Sequence, residues 1–270
     1  MKQSTPFSAI ILAADREQKD PVADFADVSC KASVPVSGRQ MVLRVLDALA
    51  EADETGQRFL AGPASISVEQ NPELSGLVNS GQVEWFAPQD TPSTSAFNVL
   101  QSLPEDVPVL VTTADHALLT VEMVDHFCCE ARASGCDVIA GVAEYELLAE
   151  AVPGTRRTVT QLADGGYCGC NLFAFLTPQS RRAADFWRKV EQERKKPLRI
   201  IKVMGWTAVI RYLLGRLSLE QALGKLSQRM GLRVGVVRMP FAEAAIDVDK
   251  VEDLLLVESI LTERQKRVPC

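Results

Sequence analysis

Histidine is nearly absent: the 270 residues include only His116 and His126. That count excludes a His-rich zinc centre and leaves little room for imidazole-based acid–base chemistry. The seven cysteines are odd in number and contain no Cys-x-x-Cys, so neither a disulfide framework nor a zinc ribbon is expected, and a reducing compartment fits. Excess positive charge is missing too. Lys+Arg number 29 against 35 Asp+Glu, a formal charge of −6, which excludes a general nucleic-acid binder because phosphate affinity grows with basic charge. Long apolar runs are also lacking. Residues 7–14 are too few for a signal-peptide core, and the charge-free stretch 203–210 falls far short of the roughly 20 residues that span a bilayer. The expected location is the cytoplasm.

What is present suits a sizeable core, since 47% of residues are hydrophobic. Residues 7–14 (FSAIILAA) are apolar without alternation, the pattern of a strand buried on both faces. Residues 39–52 carry apolar side chains at helical spacing, and helices are also expected at 95–103 and 121–133. Strands are expected at 58–62, 83–87, 107–113 and 137–142. This alternation implies an α/β fold, a three-layer, mainly parallel sheet. Beyond it, strands at 155–162 and 171–176 surround a glycine-rich turn at 164–166. Helical stretches follow near 178–195, 204–215 and 219–230, then a strand at 232–239 and a closing helix at 251–264. No internal repeat or low-complexity linker interrupts the chain. One domain, 1–270, with a helical basic insertion at about 178–231, is the organisation expected.

Ligands of such sheets sit at the carboxyl ends of the strands. Polar residues fall there at 13–31, 112–116 and 247–253. Asp115 ends an apolar strand, where a carboxylate can hold Mg2+, a hard cation that bridges phosphates, or act as a loop or cap acid. Asp247 and Asp249 form Asp-Val-Asp ahead of a helix and alone read as capping acids. Lys31 precedes the first long helix, a place that equally suits a solvated lysine. Ser95 fits an N-cap. Asn171 offers both donor and acceptor to a hydroxyl-rich ligand, or to a turn.

Four motifs in fixed order carry more. AIILAA, the lysine of CKASVPVSGRQMVLRVLDAL, TADHALLT and IDVDKVEDLLLVESIL together resemble the MobA-like nucleotidyltransferases of the GT-A fold, relatives of cytidylyl-, guanylyl- and uridylyltransferases. The resemblance covers about residues 7–143 and 232–262. It implies a GT-A, Rossmann-like nucleotidyltransferase fold. The activity it implies is Mg2+-dependent transfer of a nucleotidyl group from an NTP to a phosphorylated or hydroxyl acceptor, releasing pyrophosphate. Under it, Asp115 and Asp249 are the metal carboxylates, with Asp247 the fallback, and Lys31 neutralises the triphosphate. Leu12, Ala13, Ala14, Arg16, Lys19 and Ser95 would line the nucleotide; Gly169 and Asn171 would face the second substrate.

One loop departs from the family. Its pattern is Leu-Ala-Ala-Gly-x-Gly-x-Arg, whose glycines let backbone N–H groups approach phosphate. Here Leu12-Ala13-Ala14 is followed by Asp15, Arg16, Glu17, Gln18 and Lys19. A like-charge pair about 4 Å apart costs about 4 kcal/mol at an effective dielectric of 20, roughly a thousandfold in affinity. Either Arg16 and Lys19 compensate, or the loop binds differently, or nucleotide binding is lost. A degenerate member that binds a nucleotide or sugar phosphate without turnover is therefore one alternative, and a nucleotide-sugar glycosyltransferase is another.

The net charge conceals a division. Residues 181–238 hold fifteen Lys/Arg against four Asp/Glu, a net +11 that leaves −17 for the rest. This stretch reads either as a solvated amphipathic cover or as an acceptor-side surface for an anionic partner. A lipid-linked acceptor or the inner face of the membrane would suit it.

Overall fold

The computed structural model describes residues 5–14, 20–192 and 205–267. Arg16 and Lys19, with Asp15 and Glu17, lie outside the described residues, as does 193–204.

The first strand, β1 (Phe7–Leu12), shows how the architecture follows from the sequence. Every one of its residues is buried: Phe7, Ala9 and Ile11 join the core on one face, Ile10 and Leu12 the core on the other. A strand apolar on both faces needs cover on both sides, and helices supply it. On the first face lie α1 (Pro21–Phe25), α2 (Met41–Glu51) and α6 (Val121–Ala133). α11 (Val251–Arg267) completes that layer with Leu254, Val257 and Leu261. On the second lie α5 (Pro92–Ser102), through Ala96, Val99 and Leu100, and α8 (Arg181–Gln192), through Ala183 and Ala184.

β1 pairs in parallel with β4 (Thr55–Ala61) on one side and β6 (Val109–Thr113) on the other. β5 (Val83–Phe86) extends the sheet beyond β4. Beyond β6 comes the long antiparallel β9 (Gly165–Phe175), then β7 (Val138–Glu144) and, parallel to β7, β10 (Val234–Arg238). β8 (Thr160–Leu162) hairpins onto β9. The sheet is mixed and mostly parallel, with eight strands among the described residues. Its strand order reverses around β1, the switch point where such sheets open a crevice.

Several boundaries differ from the sequence pattern. The helix expected from residue 39 begins at Met41, because β3 (Arg39–Gln40) pairs with β2 (Pro35–Val36) across a turn with Ser37 and Gly38 at φ of 48° and 76°. The strand expected at 171–176 starts six residues earlier, at Gly165, so two glycines assigned to a turn lie in the strand. At Gly166 a Cβ would meet Val159, Gln161 and Tyr145 within about 3.1 Å, so glycine there is a packing requirement. Of the strand expected at 155–162, only β8 forms. Short helices α3 (Ser65–Glu69), α4 (Pro72–Asn79) and α7 (Tyr145–Ala151) have no counterpart in the pattern. In the basic region, α9 (Trp206–Leu213) and α10 (Leu219–Met230) follow α8; a Ser218–Gln221 capping box starts α10 and left-handed Gly231 ends it.

Candidate active site

A cleft of about 380 Å³ opens at the carboxyl ends of β1, β4 and β6. Leu12, Ala13, Ala14, Ala61, Ser95 and Thr113 contribute to its wall, and Asp20, Lys31, Asp115 and Asp249 supply its charge. Asp20 is the N-cap of α1, accepting from the Val22 and Ala23 amides at 2.9 and 3.2 Å. Gly62 packs behind the Ala13–Ala14 wall. Its φ is +83°, and a Cβ there would stand 2.9 Å from the Ala14 nitrogen, so only glycine lets the chain after β1 pass so close.

Lys31 reaches the centre of the cleft from a 3-10 turn, Lys31–Ser33. The hairpin that follows is fastened from outside: Glu258 on α11 accepts from the Ser37 amide at 2.8 Å and its hydroxyl at 3.1 Å. The ammonium donates to Asp115 Oδ2 at 2.6 Å and to Asp249 Oδ1 at 3.3 Å. Burial pulls the Lys31 pKa down, but Asp115 and then Asp249 outweigh it and leave it above the ordinary lysine value. Three residues separated by as many as 218 positions thus meet at one point. A backbone bond joins the two carboxylate loops, with the Val248 amide donating to the Asp115 carbonyl at 3.1 Å.

Asp115 Oδ1 is buried without a hydrogen-bond partner, and Asp249 is 63% exposed toward the cleft. No group of three Asp, Glu, Cys or His side chains among the described residues could hold a metal alone. Two carboxylates with substrate phosphates and water are a usual Mg2+ environment, so Asp115 and Asp249 fit that cation. Next to Asp115, His116 is fully buried; burial pushes its pKa down to about 4 against the pull of Asp115, which keeps the imidazole neutral.

Asp247 is placed differently. Its Oδ1 accepts from Arg157 Nη1 at 2.6 Å and its Oδ2 from Asn171 Nδ2 at 2.8 Å, so both oxygens are engaged. Burial, then Asp115 and Asp249, raise its pKa, while Arg157 and Asn171 oppose the rise. Asn171 sits in β9 at a φ of 49°, next to this carboxylate. Gly169, exposed on the same strand, has nothing within 4 Å of where a Cβ would stand. Ser95 is buried at the cleft wall, where its Oγ accepts from the Gln89 amide at 3.0 Å and steadies the loop before α5.

The structure therefore gathers Lys31, Asp115 and Asp249 at the cleft, with Leu12, Ala13, Ala14 and Ser95 on its wall. Asn171 and Asp247 stand together beside it, and Gly169 two residues away on the strand. Arg157 escaped sequence reasoning. The Arg156-Arg157 pair between α7 and β8 belongs to no motif, and the partner of Arg157 is 90 residues away.

The model of a MobA-like NTP transferase domain matches residues 9–234, a span that runs through the helical region and stops short of Asp247 and Asp249. A hypothetical transferase from Thermus thermophilus is 30% identical, with a TM-score of 0.76 over 92% of this chain and 99% of that one. Two more distant structures share the fold. A 4-diphosphocytidyl-2C-methyl-D-erythritol synthase from Anaerococcus prevotii has 15% identity, a TM-score of 0.56 and 96% coverage of both chains. A CMP:2-keto-3-deoxy-manno-octonic acid synthetase complexed with CTP has 11% identity and a TM-score of 0.56, over 96% of this chain and 100% of that one. None of the curated proteins compared matches. With motif order, sheet topology and the extent of the match in accord, the chain belongs to the MobA-like NTP transferase family.

Proposed function

We propose that this protein is a Mg2+-dependent nucleotidyltransferase. An acceptor oxygen, from a phosphate or hydroxyl, forms a bond to the α-phosphorus of an NTP; the bond to the β-phosphate bridging oxygen breaks, and pyrophosphate leaves. The meeting of Lys31 with Asp115 and Asp249 at the switch-point cleft carries this reading. Asp115 and Asp249 would hold Mg2+, whose chemistry is to offset phosphate charge. Lys31 supplies a fixed positive charge for the oxygens of the α-phosphate as negative charge builds there. Leu12, Ala13, Ala14 and Ser95 bound the space for the nucleoside. Such a transfer draws on positioning and electrostatics more than on a general base, consistent with a neutral, buried His116. Asn171 and Gly169 face the acceptor side.

The acceptor is a small phosphorylated or lipid-linked molecule, and the 181–238 region offers peripheral contact with the inner face of the membrane. Exposed Trp206, Ile210, Leu213 and Leu214, with exposed Arg211 and Arg216, support that contact. No helix among the described residues is long and apolar enough to cross a membrane.

A second reading, binding without turnover, rests on Asp15 and Glu17 standing where the family has glycine. Calorimetry with each NTP and Mg2+, followed by pyrophosphate release across an acceptor panel, separates the two. Binding with acceptor-dependent release is expected. Binding without release selects the second reading, and no NTP bound with Mg2+ overturns the first and leaves the second only as a sugar-phosphate binder.

A further inference from the structure

Residues 247–253 carry four acidic side chains, Asp247, Asp249, Glu252 and Asp253, opposite a fifth on Asp115. Left to itself, such a turn would splay by mutual repulsion. Lys31 meets it on the cleft side, and a second cation, Arg157, is threaded through it from another part of the chain. Arg157 leaves only 8% of its side chain exposed and does not line the cleft, so it is no phosphate ligand. Its Nη1 donates to the Asp247 carbonyl at 2.9 Å as well as to the Asp247 carboxylate at 2.6 Å. Its Nη2 lies 3.2 Å from Asp253 Oδ1, an ion pair without hydrogen-bond geometry. Asp253 in turn accepts, through Oδ2, from the amides of Asp249 and Lys250 at 3.1 and 3.2 Å. The Asp249 amide is therefore held by the Asp253 carboxylate, which shares one guanidinium with Asp247 two residues before Asp249.

We infer that Arg157 is a positioning residue of the transfer site: its guanidinium sets the 247–253 turn so that Asp249 faces Asp115, and with Asn171 it withholds Asp247 from metal ligation. The inference rests on the nucleotidyltransferase reading and deepens it, because it decides which aspartate of Asp-Val-Asp serves the metal. The geometry calls for arginine. A planar fork can serve the Asp247 carbonyl, the Asp247 carboxylate and Asp253 together, whereas a lysine ammonium is a single compact charge on a flexible stem. Supporting residues of this kind typically change metal affinity by about ten- to a hundredfold when replaced.

The test measures Mn2+ binding by electron paramagnetic resonance, on the whole chain with a non-hydrolysable NTP analogue, beside urea unfolding of each variant. Arg157→Lys and Arg157→Gln are expected to raise the Mn2+ Kd about tenfold or more. Asp249→Asn is expected to raise it further than Asp247→Asn, whose side chain already has two partners. Arg132→Gln is the control for stability alone: Arg132 bonds Glu54 at 2.9 Å outside the cleft, and its loss should lower the urea midpoint without moving the Mn2+ Kd. If Arg157→Gln fails to fold, Arg157→Lys decides. An unchanged Mn2+ Kd in a folded Arg157 variant overturns the inference, as does an Asp247→Asn effect equal to that of Asp249→Asn. Wild-type protein that binds no Mn2+ with any NTP analogue would instead remove the function reading, a different result from a wild-type site indifferent to Arg157.

Discussion

At the scale of single residues, the cleft is an electrostatic balance centred on Lys31. Two carboxylates hold its ammonium, and one of them, Asp115, keeps a buried oxygen without a partner. Removing the ammonium leaves Asp115 and Asp249 to repel each other and strips a fixed positive charge from the developing transition state. Lys31→Ala is therefore expected to lower kcat about a hundredfold, the size of effect found for single transition-state donors, with a smaller change in NTP affinity. Single-turnover pyrophosphate release measures it, and a kcat within twofold of wild type would refute the role. His116 leads to a prediction about pH. Its folded pKa of about 4 lies below the ordinary 6.5, so below pH 6.5 the unfolded chain takes up a proton that the folded chain refuses. The stability this group contributes is complete above pH 6.5 and declines as pH falls toward 4, by about 3 kcal/mol in all. Urea midpoints at pH 7 and pH 4.5 should converge in His116→Leu relative to wild type. Identical pH slopes in the two proteins would contradict it.

At the scale of elements, what the sequence makes legible is what periodicity and strand ends encode. β1 and β6 stand out as mainly apolar runs, broken by Ser8 in one and closed by Thr112 and Thr113 in the other, and Asp115 comes two residues after the end of β6. Helices on both faces follow from strands buried on both faces. Elements shaped by close packing are harder to read. β9 hides because its glycines look like turn residues, although Gly166 is demanded by Val159, Gln161 and Tyr145 around it. The 35–40 hairpin hides because Arg39 and Gln40 continue the helical pattern of α2. Arg157 and the engaged state of Asp247 are products of tertiary contact alone. Gly62 belongs with these. Its left-handed φ and the 2.9 Å approach to Ala14 mean that a methyl group forces backbone to move. Gly62→Ala should cost about 2 kcal/mol or more, the range for a non-glycine residue held in such a conformation. It should also weaken NTP binding, because Ala13 and Ala14 line the cleft. Thermal unfolding and calorimetry on one preparation test both; a variant as stable as wild type would show that the chain after β1 can yield.

At the scale of the whole molecule, the uneven charge acquires a place. α9 docks through buried Ala208 onto Leu162, Tyr167 and Leu217. Tyr167 pairs with Glu144 at the end of β7, so this helix sits at the same carboxyl edge of the sheet where the cleft opens. Trp206, Ile210 and Leu213 recur at helical spacing, all more than half exposed, with Arg211 and Arg216 beside them. An apolar face rimmed by arginine matches an anionic bilayer surface, where tryptophan and leucine enter the headgroup boundary and basic side chains meet lipid phosphate. Such binding would bring a lipid-linked acceptor to the edge that carries Asp115 and Lys31. Co-sedimentation with vesicles containing about 30% anionic lipid should show binding at low salt that is lost at high salt. Neutral vesicles should bind far less. Replacing Trp206 and Leu213 together with alanine should lower the anionic-vesicle partition coefficient about tenfold while leaving soluble-substrate turnover unchanged. A concentration-dependent change in mass abolished by the same substitutions would assign the face to a second copy of the chain, and vesicle binding indifferent to them would place any membrane contact elsewhere.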